Sequence, residues 1–158
     1  MAFSNAKFTV KITLASSETL DLAANVANIN KSMTESYTDG ATSGKIDIAM
    51  SDVITLGAGA NTEYDLDSGA LVGIHGDTIT FANVKQVYVE NTGATNSLVV
   101  SGDFLGLSTD DVEVEPGGVM LWGFGPAGKD VTATTADVID VASTSGTTYD
   151  LIIVGVST

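Results

Sequence analysis

The strongest constraint on this chain is a two-residue rhythm of β-branched side chains. Val84–Glu90, Leu98–Ser101, Val112–Val114, Val119–Phe124, Val138–Val141 and Tyr149–Val156 are short apolar runs separated by turns rich in Gly, Asn and Thr. Runs of this length bounded by turn residues read as strands. Between Lys85 and Asn91, Val87 and Val89 take one face and Gln86, Tyr88 and Glu90 the other. Val112 and Val114 alternate in the same way with Asp111, Glu113 and Glu115. Pro116–Gly118 then supplies a turn, since Pro presets φ and Gly accepts positive φ. The last run is the most apolar. As a bare edge it would invite pairing with other chains, so it belongs inside a sheet, covered on both faces.

The N-terminal part is less regular. Phe8, Val10, Ile12 and Leu14 alternate with Thr9, Lys11 and Thr13, which predicts a half-buried strand over Phe8–Ala15. Leu20–Lys31 fits either a short helix (Leu20, Ala23, Ala24, Ala27, Asn28) or an irregular strand (Leu20, Leu22, Ala24). Its several Asn weigh against the helix and favour extended structure. Ser36–Gly44 reads as a polar surface loop and Lys45–Ala49 as a strand. Val53–Leu56 and Tyr64–Leu66 read as strands joined by a hairpin loop, Gly57–Asn61. Gly76–Thr78 leads into a short strand or turn at Ile79–Phe81.

The count is nine or ten short strands, with no internal repeat of 20–50 residues. The fold class expected is all-β: an antiparallel two-sheet sandwich, jelly-roll-like, with an irregular N-terminal segment. At 158 residues the simplest organisation is a single domain spanning 1–158, in which residues 1–40 act as an extended arm. A chain of this size buries roughly 70% of its unfolded surface and needs no staple. It has no Cys, so disulfides and thiolate chemistry are excluded. Met1–Ser17 lacks the basic start and apolar run of a leader, and no stretch approaches the ~20 apolar residues of a membrane span. The expectation is therefore synthesis in a cytoplasm and no membrane partner.

Twenty acidic residues face six lysines, with no arginine, for a net charge of −14. Such a surface repels phosphate backbones and lacks the usual reader of base edges, so no nucleic-acid partner is expected. The candidate chemistry is thin. Gly123–Asp130, GFGPAGKD, matches a phosphate loop except that Asp130 stands where a hydroxyl should hold magnesium. The β-branched sequence after it does not open a helix, so a wide turn between strands is expected. Gly40–Lys45, GATSGK, is one residue short of the same motif and reads as a loop. His75, the lone histidine, lies between glycines in GIHGD and reads as a loop residue. The carboxylate pairs Asp65/Asp67, Asp110/Asp111 and Glu113/Glu115 have the residue type for glycoside hydrolysis or calcium. YDLDSGALVGIHG nevertheless misses the EF-hand spacing, and Glu113 and Glu115 share what reads as a solvated strand face. Trp122 is expected to pack in the core or at an interface. These readings assign no catalytic, cofactor-binding or metal-ligating residue and predict a non-enzymatic protein.

The order of motifs carries one resemblance. Thr19–Leu22 (T-L-D-L), Asp65–Gly69 (D-L-D-x-G), Asp77–Lys85 (D-T-I-T-F-A-x-V-K), Val89–Thr92, Val99–Gly102, Pro116–Val119, Val131–Ala133 and Thr148–Gly155 follow one another along the chain. In this order the chain resembles small structural proteins of tailed bacteriophages. The resemblance implies a virion component, foremost a capsid decoration (cement) protein on the head exterior. Its implied partner is the major capsid protein, and self-association as a trimer is expected from particle symmetry. A tail or fibre component touching tail proteins or host glycans is the alternative. Glu115, acidic where such proteins are often basic before the Pro-Gly-Gly turn, departs from the pattern. The resemblance carries over no catalytic residue.

Overall fold

A computed structural model of the chain describes residues 6–20 and 23–158, without the side chains of 15–20, 23–29 and 108–110. The described residues are all-β. Ten strands of five or more residues and four two-residue strands form sheets that are antiparallel but for one short parallel pair, arranged as a sandwich. The first sheet orders β11 (Val119–Gly123), β8 (Phe81–Asn91), β14 (Thr148–Ser157) and β4 (Ile48–Thr55), with β12 (Lys129–Asp130) also pairing to β8. The second orders β10 (Leu107–Val114), β9 (Leu98–Gly102), β13 (Val138–Ser143) and β5 (Ala60–Asp65). A small hairpin of β6 (Leu71–Val72) and β7 (Thr78–Ile79) stands apart from both sheets.

The core lies where the apolar phases of the two sheets meet. Val87 and Val89 of β8 and Leu151 and Ile153 of β14 face Leu98 and Val100 of β9 and Ile139 and Val141 of β13, all of them buried. Each such side chain contributes about 1.5–3 kcal/mol on burial. Tyr64 of β5 and Tyr149 of β14 meet hydroxyl to hydroxyl at 2.6 Å within this core. The pairing satisfies two polar groups that would otherwise be stranded in an apolar interior.

A break of phase in β8 shapes the rest. Val84, Lys85, Gln86 and Val87 are buried in succession, which strict alternation forbids. The register against β14 slips between Val154↔Gln86 and Gly155↔Val84, a β-bulge. Gly155 permits it, because a Cβ there would lie 2.2 Å from the Asn83 carbonyl oxygen.

Two sequence expectations change. Val53–Leu56 and Tyr64–Leu66 do not form a hairpin. Their strands, β4 and β5, belong to different sheets, and the connection between them is held by the 143–147 turn. Leu56 N–H donates to Thr147 O at 2.8 Å, and Gly59 N–H donates to Ser143 O at 3.0 Å. The N-terminal segment is not irregular either. β1 (Ala6–Leu20) and β2 (Ala23–Asp39) pair continuously from Ala6↔Tyr37 to Leu20↔Ala23. Ser36–Asp39 is therefore strand, not loop, and Tyr37 within it is buried. Leu22 lies outside the described residues. Around it the chain is extended on both sides, as its Asn content suggests.

Strand β14 sits between β8 and β4, as its composition demands. Tyr149, Leu151 and Ile153 face the core, while Val154 packs on the opposite face with Tyr37, Ile46 and Ala49. Val154→Asp is expected to abolish folding, and a soluble variant that melts cooperatively would refute this placement. Ile152, only partly buried, should tolerate the same change better. Tyr149→Phe should cost about 1–3 kcal/mol by leaving the Tyr64 hydroxyl unpaired. Adding Tyr64→Phe should cost less than the sum of the single changes, as read from denaturant midpoints.

Candidate functional site

The β1–β2 hairpin is the most distinctive feature of the surface. Fifteen residues per strand at about 3.4 Å each give an arm about 50 Å long. Directly paired residues share a face, so Ala6/Tyr37, Phe8/Glu35, Val10/Met33 and Ile12/Lys31 lie on one side, together with Leu14. Lys7/Ser36, Thr9/Thr34 and Lys11/Ser32 lie on the other. The alternation in Phe8–Ala15 thus builds one apolar and one polar face.

Only the base of the apolar face is covered. Tyr37, Ile46, Ala49 and Val154 form a second small core, with Ala6, Phe8 and Ile152 packed against it. Strand β3 (Lys45–Ile46) pairs in parallel with the end of β2 and extends the seam. Glu35 Oε2 accepts from the Tyr37 hydroxyl at 2.5 Å and from Gln86 Nε2 at 2.8 Å. Burial, then the hydrogen bond to Glu35, pushes the Tyr37 phenol far above its ordinary range. Beyond the base, Ile12, Leu14 and Met33 are all more than half exposed. Scattered exposed apolar residues are ordinary, but three on one face of a projecting hairpin mark a contact surface.

The arm does not lie flat on the first sheet. An open groove of about 570 Å³ separates them, lined by Phe8, Thr9, Val10 and Lys11 from the arm and by Tyr88, Val119, Leu121 and Ile152 from the outer face of the sheet. Val119 is 55% exposed. Register places Val119, Glu90, Asp150 and Val53 in one row across that face, with Leu121, Tyr88, Ile152 and Ser51 in the next. Glu90 and Asp150, like charges directly opposite, repel each other. The Tyr88 hydroxyl donates to Glu90. That bond, then burial and the two carboxylate charges, holds its pKa up at about 12.

The motifs singled out in the sequence resolve into structural roles. In Gly123–Asp130 the chain turns back, with Gly125 and Gly128 at positive φ, and re-enters as β12 against β8. The Lys129 ammonium donates to the Phe104 carbonyl and lies 4.9 Å from the centre of the Phe104 ring. Lys85 is buried and donates to Ala127 O at 2.6 Å; burial lowers its pKa. The loop's one lysine is thus spent on the Phe104 carbonyl, and a loop carbonyl takes the lysine of β8. Gly40–Gly44 is also a loop, and His75 is exposed at the β6–β7 hairpin. Trp122 turns inward and packs on the main core. Glu113 and Glu115 are exposed; the Asp110 side chain lies outside the described residues.

Asp65 and Asp67 do come together, and Asp137 joins them, with carboxylate oxygens all within 4.8 Å of one another. Asp137 was not legible as a member. It arrives because β13 pairs with β5 through Val138↔Asp65, which sets the preceding residue beside Leu66. Local bonds occupy these groups. Asp65 Oδ1 accepts from the Asp67 and Ser68 amides, and Asp137 Oδ2 accepts from the Thr134 amide at 2.6 Å. These bonds make the cluster a fastening of two turns.

Comparison with family models, curated proteins and solved structures yields no match to this chain.

Withdrawal from water, then the hydrogen bond and charge of Asp65 and the charge of Asp137, raise the Asp67 pKa. Its folded value lies above the unfolded one, so its charge opposes folding at neutral pH, and the penalty fades as pH falls through the raised value. Asp67→Asn should therefore melt higher than the parent at pH 7 and lose that advantage near about pH 4. An equal or lower melting temperature at pH 7 would count against carboxylate repulsion in this cluster.

Proposed function

We propose that this chain is a non-enzymatic structural protein of a tailed-bacteriophage virion: a decoration protein that binds the outside of the assembled head and stabilises it. The observation that carries this reading is the long hairpin whose apolar face is uncovered at Ile12, Leu14 and Met33. A rigid sandwich bearing such an arm is built to hold a neighbour across a surface. The order of motifs that resembles phage structural proteins points the same way.

The strand order adds support. The eight long strands from β4 onward alternate between the sheets, except where β9 and β10 are neighbours in one sheet. Counted along the chain, they lie in the orders 6-3-8-1 and 5-4-7-2, which we read as the nested Greek keys of a jelly roll. Jelly rolls recur in viral capsid proteins, though they also serve other functions, so this is an argument from architecture alone. On this reading the major capsid protein is the partner, the chain is made in the host cytoplasm, and it acts on the virion exterior as an oligomer, with a trimer favoured.

Mechanistically, a protein that binds only the assembled shell stabilises it by mass action. The chain should therefore co-sediment with assembled empty shells but not with unassembled capsid subunits, and should raise the temperature at which shells break. Replacing Ile12 and Leu14 by Asp should weaken shell binding by roughly tenfold or more, or ~1.4 kcal/mol, while the melting temperature of the chain stays unchanged. Binding to isolated tails or to a glycan panel, with none to shells, would replace this reading with a tail or fibre role.

A further inference from the structure

Resting on the decoration reading, we infer that the neighbour engaged by the arm on the shell is a second copy of this chain, whose groove between arm base and outer sheet face receives it, so that Ile12 and Leu14 act on shell binding by linking the copies that grip the shell together. The argument begins with the distribution of charge. In the sequence, residues 6–39 carry Lys7, Lys11 and Lys31, half of all the lysines, against Glu18, Asp21, Glu35 and Asp39, which is near charge balance. All the other acidic residues of the twenty lie in the body. Two of the body's three lysines, Lys85 and Lys129, are committed to carbonyls inside it. Bodies repel bodies, and the arm is the part of the chain that an acidic body repels least.

The groove matches the arm in detail. Its floor is apolar, with Val119, Leu121, Tyr88 and Ile152 in two rows. The Glu90–Asp150 pair borders that floor with two carboxylates opposed, while the groove's own cation, Lys11, stands on its arm wall and not in that row. The apolar face of the arm carries Ile12, Leu14 and Met33 and, directly opposite Ile12, the exposed Lys31. An incoming arm thus brings apolar side chains to the floor and one ammonium to the carboxylate pair. Because the donor arm and the receiving groove are different surfaces, the contact is head-to-tail, and copies joined this way close into a ring where the rotation allows.

The test uses the full chain without any shell. Sedimentation velocity should show self-association. Lys31→Glu should weaken it several-fold, and combining Lys31→Glu with Glu90→Lys should restore it, with thermal melts confirming that each variant folds. The absence of native cysteines gives a second test. Chains carrying Ile12→Cys, mixed with chains carrying Val119→Cys under mild oxidation, should form a mixed disulfide dimer. A chain that stays monomeric in sedimentation, or a mixture in which Ile12→Cys links only to itself, would overturn the inference. A monomer that still binds shells would overturn it while leaving the decoration role standing. Self-association with no shell binding would do the reverse.

Discussion

Strand β14 is the element on which the rest of the structure depends, because one face is buried in the sandwich core and the other, towards its C-terminal end, in the seam with the arm base. Its Tyr149, Leu151 and Ile153 face close the sandwich, while Val154 on the opposite face closes the seam with the arm base. Its backbone is bonded to β8 on one side and to β4 on the other. The end of the strand is fixed by Asp47, whose carboxylate accepts from the Ser157 amide and hydroxyl at 2.7 and 2.8 Å. Sandwich and arm therefore share one strand, and displacement of β14 would loosen both.

The seam between them is less perfectly satisfied than the core. Gln86 spends both bonds of its amide nitrogen on Glu35 and Tyr37, and its Oε1 is buried without a partner. An unpaired buried acceptor costs about 1–3 kcal/mol. The Glu35–Tyr37–Gln86 cluster is thus an orienting device more than a stabilising one. It fixes the angle at which the arm leaves the body, which a purely apolar seam would leave free to slide.

Legibility followed locality. The strands from Val84 onward could be read because their faces differ sharply: Val87 and Val89 against Tyr88 and Glu90, Val114 against Glu113 and Glu115. The fate of Tyr64–Leu66 could not, because a loop of few residues serves a hairpin and a crossing between sheets equally well. What decides it is a set of bonds to residues 143–147, about ninety positions away. Asp137 was invisible as a neighbour of Asp65 and Asp67 for the same reason, since only strand register brings it there. In the arm, the alternation of Phe8, Val10, Ile12 and Leu14 correctly announced an apolar face. Periodicity reports which side chains share a face, not whether anything covers it, and the covering stops after Phe8 and Val10. The bulge at Gly155 broke the rule in the opposite direction, burying Lys85 and Gln86 in a strand whose pattern assigns them to different faces.

The length of the arm reconciles two properties that otherwise conflict: a charge of −14 and an exposed apolar surface. Short-range apolar burial yields about 25 cal/mol per Å², but only once surfaces touch. Repulsion between acidic bodies acts earlier, over a screening length of about 8 Å at physiological salt. A contact made directly between bodies would have to work against it. Ile12 and Leu14 stand six and eight residues out from Ala6, about 20–27 Å along the arm, which sets the exposed apolar face about three screening lengths from the body's charge. The same repulsion then disfavours stacking of the sandwiches themselves, including through the exposed Val53 on edge strand β4, and leaves the arm as the apolar surface whose contacts it opposes least.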